Sequence, residues 1–247
     1  MKRALRTLAS LPFRMLPLAL RRHAVRMGFN AFSTVAPDTA LRELLALDRA
    51  LSCVIDETAM RYEGGVHPKH RLTAYHDFFV KRVQAGERVL DLGCGYGAVA
   101  SSLATRAGAD VVGIDLDAAN IAEARRRFAH PRITFVVGDA TKALPPGRFN
   151  VVVASNVVEH VDDRVGLYRA VQECARPSRW LVRVPMIDRD WRVALRRELG
   201  LFAFSDPTHF TEYTRESFEL EAAAAGLSPA HLQINWGEIW AELRPAP

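Results

Sequence analysis

Residues 89–97 read Val-Leu-Asp-Leu-Gly-Cys-Gly-Tyr-Gly. Three glycines in five positions, directly behind an apolar run, leave few choices of local structure. Glycine has no Cβ, so it takes positive φ readily and lets another group approach the backbone closely. A buried strand that ends in such a turn and leads into a helix presents free N–H groups and a partial positive charge at that end. The stretch predicts the first strand–turn–helix of an α/β sheet, with a ligand beyond the carboxyl end of the strand.

The texture after residue 87 agrees with that reading. Short apolar runs at 88–92, 110–115, 133–138, 150–155 and 180–185 alternate with helical stretches at 97–107, 118–129 and 162–175. Near-continuous Val, Leu and Ile runs separated by helices belong to a parallel sheet covered on both faces. The stretch "LQINWGEIWAEL" supplies a last pair of strands after the "FELEAAAAGL" helix. The expected fold is a doubly wound α/β sandwich over residues 87–247. Ahead of it, residues 38–86 read as a helical cap region, with helices at 38–62 and across "RLTAYHDFFVKRVQ", and residues 1–37 as a basic amphipathic arm.

The acids around the loop narrow the ligand. Asp115 ends the second strand, 20 residues after Gly95, where a carboxylate can accept both hydroxyls of a ribose. Asp139 ends the third strand, in reach of an adenine amino group or an adjacent donor. Asp91 sits just before the turn, unfavourable for a pyrophosphate and suited to an ammonium. An adenosine carrying a cationic amino-acid tail meets these demands, and that is S-adenosylmethionine. A nicotinamide dinucleotide would set its pyrophosphate against Asp91 and leave Asp139 without a purpose.

In order and spacing, "VLDLGCGYG", "VVGIDLD", "VVGDA" and "FNVVVASNVVEHV" resemble the successive motifs of the class I S-adenosylmethionine-dependent methyltransferases. The resemblance implies a mostly parallel seven-stranded sheet with one antiparallel strand. It also implies that Asp91, Gly93, Gly95 and Gly97 hold the methionine portion, Asp115 and Leu116 the ribose side, and Asp139 and Ala140 the adenine. Asn156 lines the pocket after the fourth strand.

For a hydroxyl acceptor, a base near the methyl group is expected, and Glu159, His160 and His209 are the candidates. The stretch "NVVEHV" resembles the ubiquinone-biosynthesis O-methyltransferases, in which an acid three residues before the Glu-His pair is linked to a divalent metal. Asn156 occupies that position, so no metal is expected. His67, His70, His76, Asp188 and Tyr213 stand in two polar-rich stretches flanking the core and are the candidate acceptor contacts. These flanks resemble methyltransferases of polysaccharide and glycolipid biosynthesis, which favours a sugar hydroxyl. A quinone or phenol is the alternative substrate, and a cofactor-binding scaffold without turnover the alternative function.

Charge and cysteine usage bound the rest. Seven of the 33 basic residues lie within residues 1–30, and the first acid is Asp38. Elsewhere 26 basic residues face 28 acids, which argues against a nucleic-acid partner. Residues 1–32 interleave Arg with Leu, Phe and Met, a pattern suited to peripheral contact with an anionic membrane surface. Cys53, Cys94 and Cys174 form no CxxC pair, so neither a zinc site nor a disulfide framework is read, and a reducing cytoplasm fits.

Overall fold

The apolar run before the glycines forms β1 (Arg88–Leu92), buried throughout after Arg88. The computed structural model describes residues 15–246. In it β1 pairs in parallel with β2 (Asp110–Asp115), and β2 in turn with β3 (Ile133–Val137). On its other side β1 pairs in parallel with β4 (Val151–Ser155), which pairs with β5 (Arg179–Pro185). The chain closes with the hairpin of β6 (Leu227–Asn235) and β7 (Glu238–Pro245), and β7 runs antiparallel beside β5. The seven-stranded order is β3-β2-β1-β4-β5-β7-β6. Strand order reverses between β1 and β4, which puts the switch point directly beside the glycine turn.

Helices cover both faces. Described in chain order, α1 (Leu18–Asn30) and α2 (Pro37–Tyr62) precede the sheet, followed by α3 (Lys69–Thr73) and α4 (Tyr75–Val80). Between the strands lie α5 (Ala98–Ser102), α6 (Ala118–Arg127), α7 (Arg164–Ala175), α8 (Trp191–Glu198) and α9 (Arg215–Ala224). Leu90, Leu92, Val152, Val182 and Val184 pack on Tyr168 and Val171 of α7 and Phe218 of α9. Val89, Val111, Val151 and Leu181 face Phe78 and Phe79 of α4, Ala100 of α5 and Ile121 of α6. Side-chain alternation along the strands thus feeds two separate cores. Asp117, Asp163, Asp190 and Thr214 cap α6, α7, α8 and α9 by accepting backbone N–H groups, as short polar side chains do at helix starts.

The described residues divide into two compact units between Val66 and His67, so residues 67–86 count with the sheet. In the first unit, α1 leaves Leu18, Val25 and Phe29 exposed, and α2 buries Ala40 and Leu45. Residues 1–14 of the expected basic arm lie outside the described residues. Among the described residues no helix is long and apolar enough to cross a membrane.

Three local expectations change. The helix expected across residues 71–84 is two short helices broken at Ala74, whose φ is +51°. Tyr75, Phe78 and Phe79, at i, i+3 and i+4 of α4, share one face and are buried together. The helix expected at 97–107 is α5 followed by a π-turn over Leu103–Ala107. Helix α8 is present where none is expected, because "WRVALRRE" offers one buried residue, Val193.

A left-handed alanine costs about 1–2 kcal/mol. Ala74→Gly is expected to raise stability by about 0.5–1 kcal/mol and Ala74→Val to lower it by more than that. The denaturant midpoint, at unchanged slope, reads both.

Candidate active site

All five parallel strands end at one edge of the sheet, and a cavity of about 620 Å³ opens there. Its wall at the β1 and β2 ends includes Gly93, Asp115, Leu116 and Asn120. Asp139, Ala140 and Thr141 follow β3, and Asn156 and Val157 follow β4. Beyond them the wall turns apolar, with Val161, Leu167 and Phe210 beside His160 and Asp162.

The glycines divide their labour. A Cβ on Gly93 would meet Val157 at 2.6 Å, and one on Gly97 would meet Phe135 at 2.6 Å, so these two make room for core side chains. A Cβ on Gly95 meets nothing within 4 Å. Its side faces open space, and Gly95 is the glycine whose bareness suits a ligand. Of the three, Gly93 is the one that lines the cavity. All three have positive φ. Cys94 packs into the notch left by Gly113, and burial pushes its thiol far up, away from nucleophilic use.

Asp115 fastens the loop. Its carboxylate accepts N–H bonds from Gly95 at 2.8 Å and Asp117 at 2.9 Å, and one from the Asn120 amide at 3.2 Å. It lines the cavity from that position. Asp139 is committed to its own turn. It accepts from the Thr141 hydroxyl at 2.6 Å, the Thr141 N–H at 3.0 Å and Lys142 at 2.9 Å. These donors, the hydroxyl first, hold its carboxyl near 2. What Asp139 offers a purine is a rigid backbone rather than a spare acceptor.

Asp91 is buried beneath the loop, and its Oδ2 has no hydrogen-bond partner. Burial raises its pKa to about 7, against the pull of the Ala100 N–H and with a smaller push from Asp115. An unpartnered buried carboxylate is where a cationic ligand group is favoured. Neither Asp91 nor Gly95 is among the residues lining the cavity, whereas Leu92 and Gly93 between them are.

At the other end of the cavity a short 3₁₀ turn, Val158–His160, follows β4. His160 lines the cavity, while Glu159 is fully buried behind it with neither carboxylate oxygen hydrogen-bonded. Burial pushes Glu159 up to about 8, against the pull of Arg183. His160 is lowered, first by burial and then by His209. The two imidazoles meet edge to face with centroids 4.5 Å apart. The Phe210 N–H donates to the Glu159 carbonyl at 2.8 Å, which brings the 206–210 segment onto this turn. Glu159, His160 and His209 each offer a ligand atom within 4.8 Å of the others, so a cation could be held here although none is expected from the sequence.

The other expected contacts go elsewhere. His76 bonds Ser102 at 2.7 Å and His70 at 3.0 Å, tying α4 to α5, and His70 also meets the Tyr75 hydroxyl at 2.8 Å. His67 accepts the Lys69 N–H and closes a turn. Tyr213 is buried and donates to Glu221 at 2.6 Å, and Asp188 is exposed outside the cavity. None of the five lines the cavity. Asn120, Thr141 and Phe210 do line it and were missed. Asn120 had a signal, since it stands in the first turn of α6, five residues past Asp115, and Phe210 had none.

The model described as "Methyltransferase domain" matches residues 66–232. The chain is 35% identical over 160 residues to a ubiquinone biosynthesis O-methyltransferase of Ralstonia nicotianae, covering 60% of this chain and 66% of that protein. It is 34% identical over 126 residues to one of Albidiferax ferrireducens, covering 48% and 50%. The matched stretches thus span about half to two thirds of these relatives. The magnesium protoporphyrin IX methyltransferase of Synechocystis, with bound SAH, is similar in fold. It superposes with a TM-score of 0.57 at 19% identity, over 72% of this chain and 83% of that one.

Two substitutions test the site. Asp91 holds its proton more tightly folded than unfolded, where its pKa is ~3.9. The penalty is absent below about pH 4, grows up to about pH 7, and above that is on the order of 4 kcal/mol. Asp91→Asn is expected to raise the melting temperature at about pH 8 but not at about pH 4, while weakening S-adenosylmethionine binding. Asp115→Ala is expected to cost about 1–3 kcal/mol of cofactor affinity by calorimetric titration.

Proposed function

Because the chain belongs to the class I S-adenosylmethionine-dependent methyltransferases, we propose that it methylates a hydroxyl of a phenolic or quinol-type small molecule. The observation that carries this reading is the far end of the cavity. There Val157, Val161, Leu167 and Phe210 form an apolar wall around one imidazole, His160. A flat aromatic acceptor suits such a wall, and the names of the relatives point the same way. The polar residues that favoured a saccharide, His67, His70, His76, Asp188 and Tyr213, stand off the cavity wall.

S-adenosylmethionine, when bound, supplies a methyl group made electrophilic by its sulfonium. The chain's own residues align and deprotonate. Asp91 would hold the ammonium through its free oxygen, Asp115 would accept from the ribose hydroxyls, and the turn held by Asp139 would border the adenine. His160, in the turn after β4, lines the same cavity. His160 would take the acceptor hydroxyl's proton as the methyl group passes to that oxygen and the sulfur leaves as a neutral thioether. Depression of the His160 pKa keeps the imidazole neutral near pH 7, the form able to take a proton.

The test measures S-adenosylhomocysteine formed with catechol and hydroquinone acceptors and, side by side, with sugar nucleotides. Turnover of the phenols alone is expected. His160→Ala is expected to lower kcat by about 10²–10⁴-fold with cofactor affinity unchanged. Methylation of the sugars and not of the phenols would overturn the acceptor class.

A further inference from the structure

We propose that Thr208 and Asp206 are positioning residues for the base His160, a carboxylate and a hydroxyl in series that fix which ring nitrogen carries the proton. This role deepens the methyl-transfer reading and rests on it, since His160 acts there as the base. Asp206 Oδ1 accepts the Thr208 hydroxyl at 2.5 Å and the Thr208 N–H at 2.8 Å, which closes a tight turn over Pro207. Thr208 Oγ1 in turn lies 2.9 Å from His160 Nδ1, although the two residues stand 48 apart in the chain.

The direction of each bond follows from the donors available. Burial pushes the Asp206 carboxyl up, yet the Thr208 hydroxyl and N–H, with smaller pulls from His209 and His160, hold it below the usual carboxylate range. Near neutral pH it is therefore a carboxylate, which only accepts. The single hydroxyl hydrogen of Thr208 is committed to Asp206, so toward His160 the hydroxyl presents a lone pair. His160 must donate to it, which sets the proton on Nδ1 and leaves the lone pair on Nε2. A second pair anchors the segment that delivers Thr208. His209 Nδ1 lies 2.9 Å from Glu212, which is buried and also accepts from Arg189 and from the Ser205 hydroxyl. The Phe210 N–H on the Glu159 carbonyl, at 2.8 Å, fastens the same segment to the turn that carries His160.

Of the two imidazoles that meet edge to face, His160 is the one that lines the cavity. A free neutral imidazole side chain favours its proton on Nε2, the form unable to accept a proton at that atom. The Thr208 oxygen selects the other form. When the acceptor hydroxyl's proton passes to Nε2, the ring becomes an imidazolium whose Nδ1–H still points at Thr208. Thr208 and Asp206 keep their own protonation throughout, and the carboxylate charge behind the hydroxyl favours the cation.

The full chain with nitrogen-15 in its histidines is examined by NMR without acceptor at about pH 8, where imidazoles are neutral. The His160 signals are identified by their loss in His160→Asn. A proton on Nδ1 is expected in the wild type and on Nε2 in Thr208→Val, which keeps the shape of the side chain and removes its hydroxyl. With catechol as acceptor, Thr208→Val is expected to lower kcat by about 10-fold, a share of what a general base contributes. KM, S-adenosylmethionine affinity and melting temperature are expected to stay as in the wild type, and Thr208→Ser to recover both the tautomer and most of the lost kcat. Asp206→Ala frees the Thr208 hydrogen to turn toward His160, so it too is expected to show the proton on Nε2. A wild-type His160 protonated on Nε2 overturns the proposal, as does a folded Thr208→Val that keeps the proton on Nδ1 or keeps the wild-type kcat. A chain that methylates no phenol defeats the methyl-transfer reading instead, and the tautomer, read without acceptor, is decided separately.

Discussion

Parallel pairing is the constraint from which the site follows. Because β1 to β5 all run the same way, the residue after each strand lands on one edge. The backbone groups there have left the sheet ladder and must be satisfied by loops. Asp115 meets that demand for the two central turns at once, taking the Gly95 and Asp117 N–H groups from either side. The glycine turn is held open by this carboxylate as much as by its own glycines. Gly93 and Gly97 then let Val157 and Phe135 close the core underneath.

The same edge accumulates groups that work against stability. Asp91 and Glu159 are buried carboxylates with unpartnered oxygens, and Asn156 is a left-handed residue whose buried side-chain oxygen also lacks a partner. Arg183 offsets part of this. It pairs with Glu238, stacks over Tyr75 at 3.9 Å, and lies close enough to pull on Glu159. A fold tolerates such a concentration where ligands complete the pairing, and elsewhere the chain is locally consistent, with capped helices and unbroken apolar strands.

Much of the architecture was legible because strand and helix leave different periods in a sequence. β1 and β2 begin and end where the Val and Leu runs do, since a strand buried on both faces admits little else. Orientation was not legible. The density of His67, His70, His76 and Asp77 read as an acceptor site, yet Tyr75 and the two phenylalanines of α4 are buried, and His70 and His76 bond to each other and to Tyr75 and Ser102. A histidine serves a ligand or a neighbour equally well, and which it meets depends on a backbone turn that composition does not reveal.

By itself, the sequence determined the alternation of strands and helices and the acids that close β1, β2 and β3, because these depend on local period and on the order of the chain. Only the tertiary structure decided that His209 stands against His160, nearly fifty residues away. That contact needs the segment after α8 to return along the end of β5. The Met186–Tyr213 bridge and the Phe210 N–H on the Glu159 carbonyl hold it there. No local pattern encodes a return path of that kind. It is set by which buried surfaces and backbone groups are left to be satisfied once the sheet has formed.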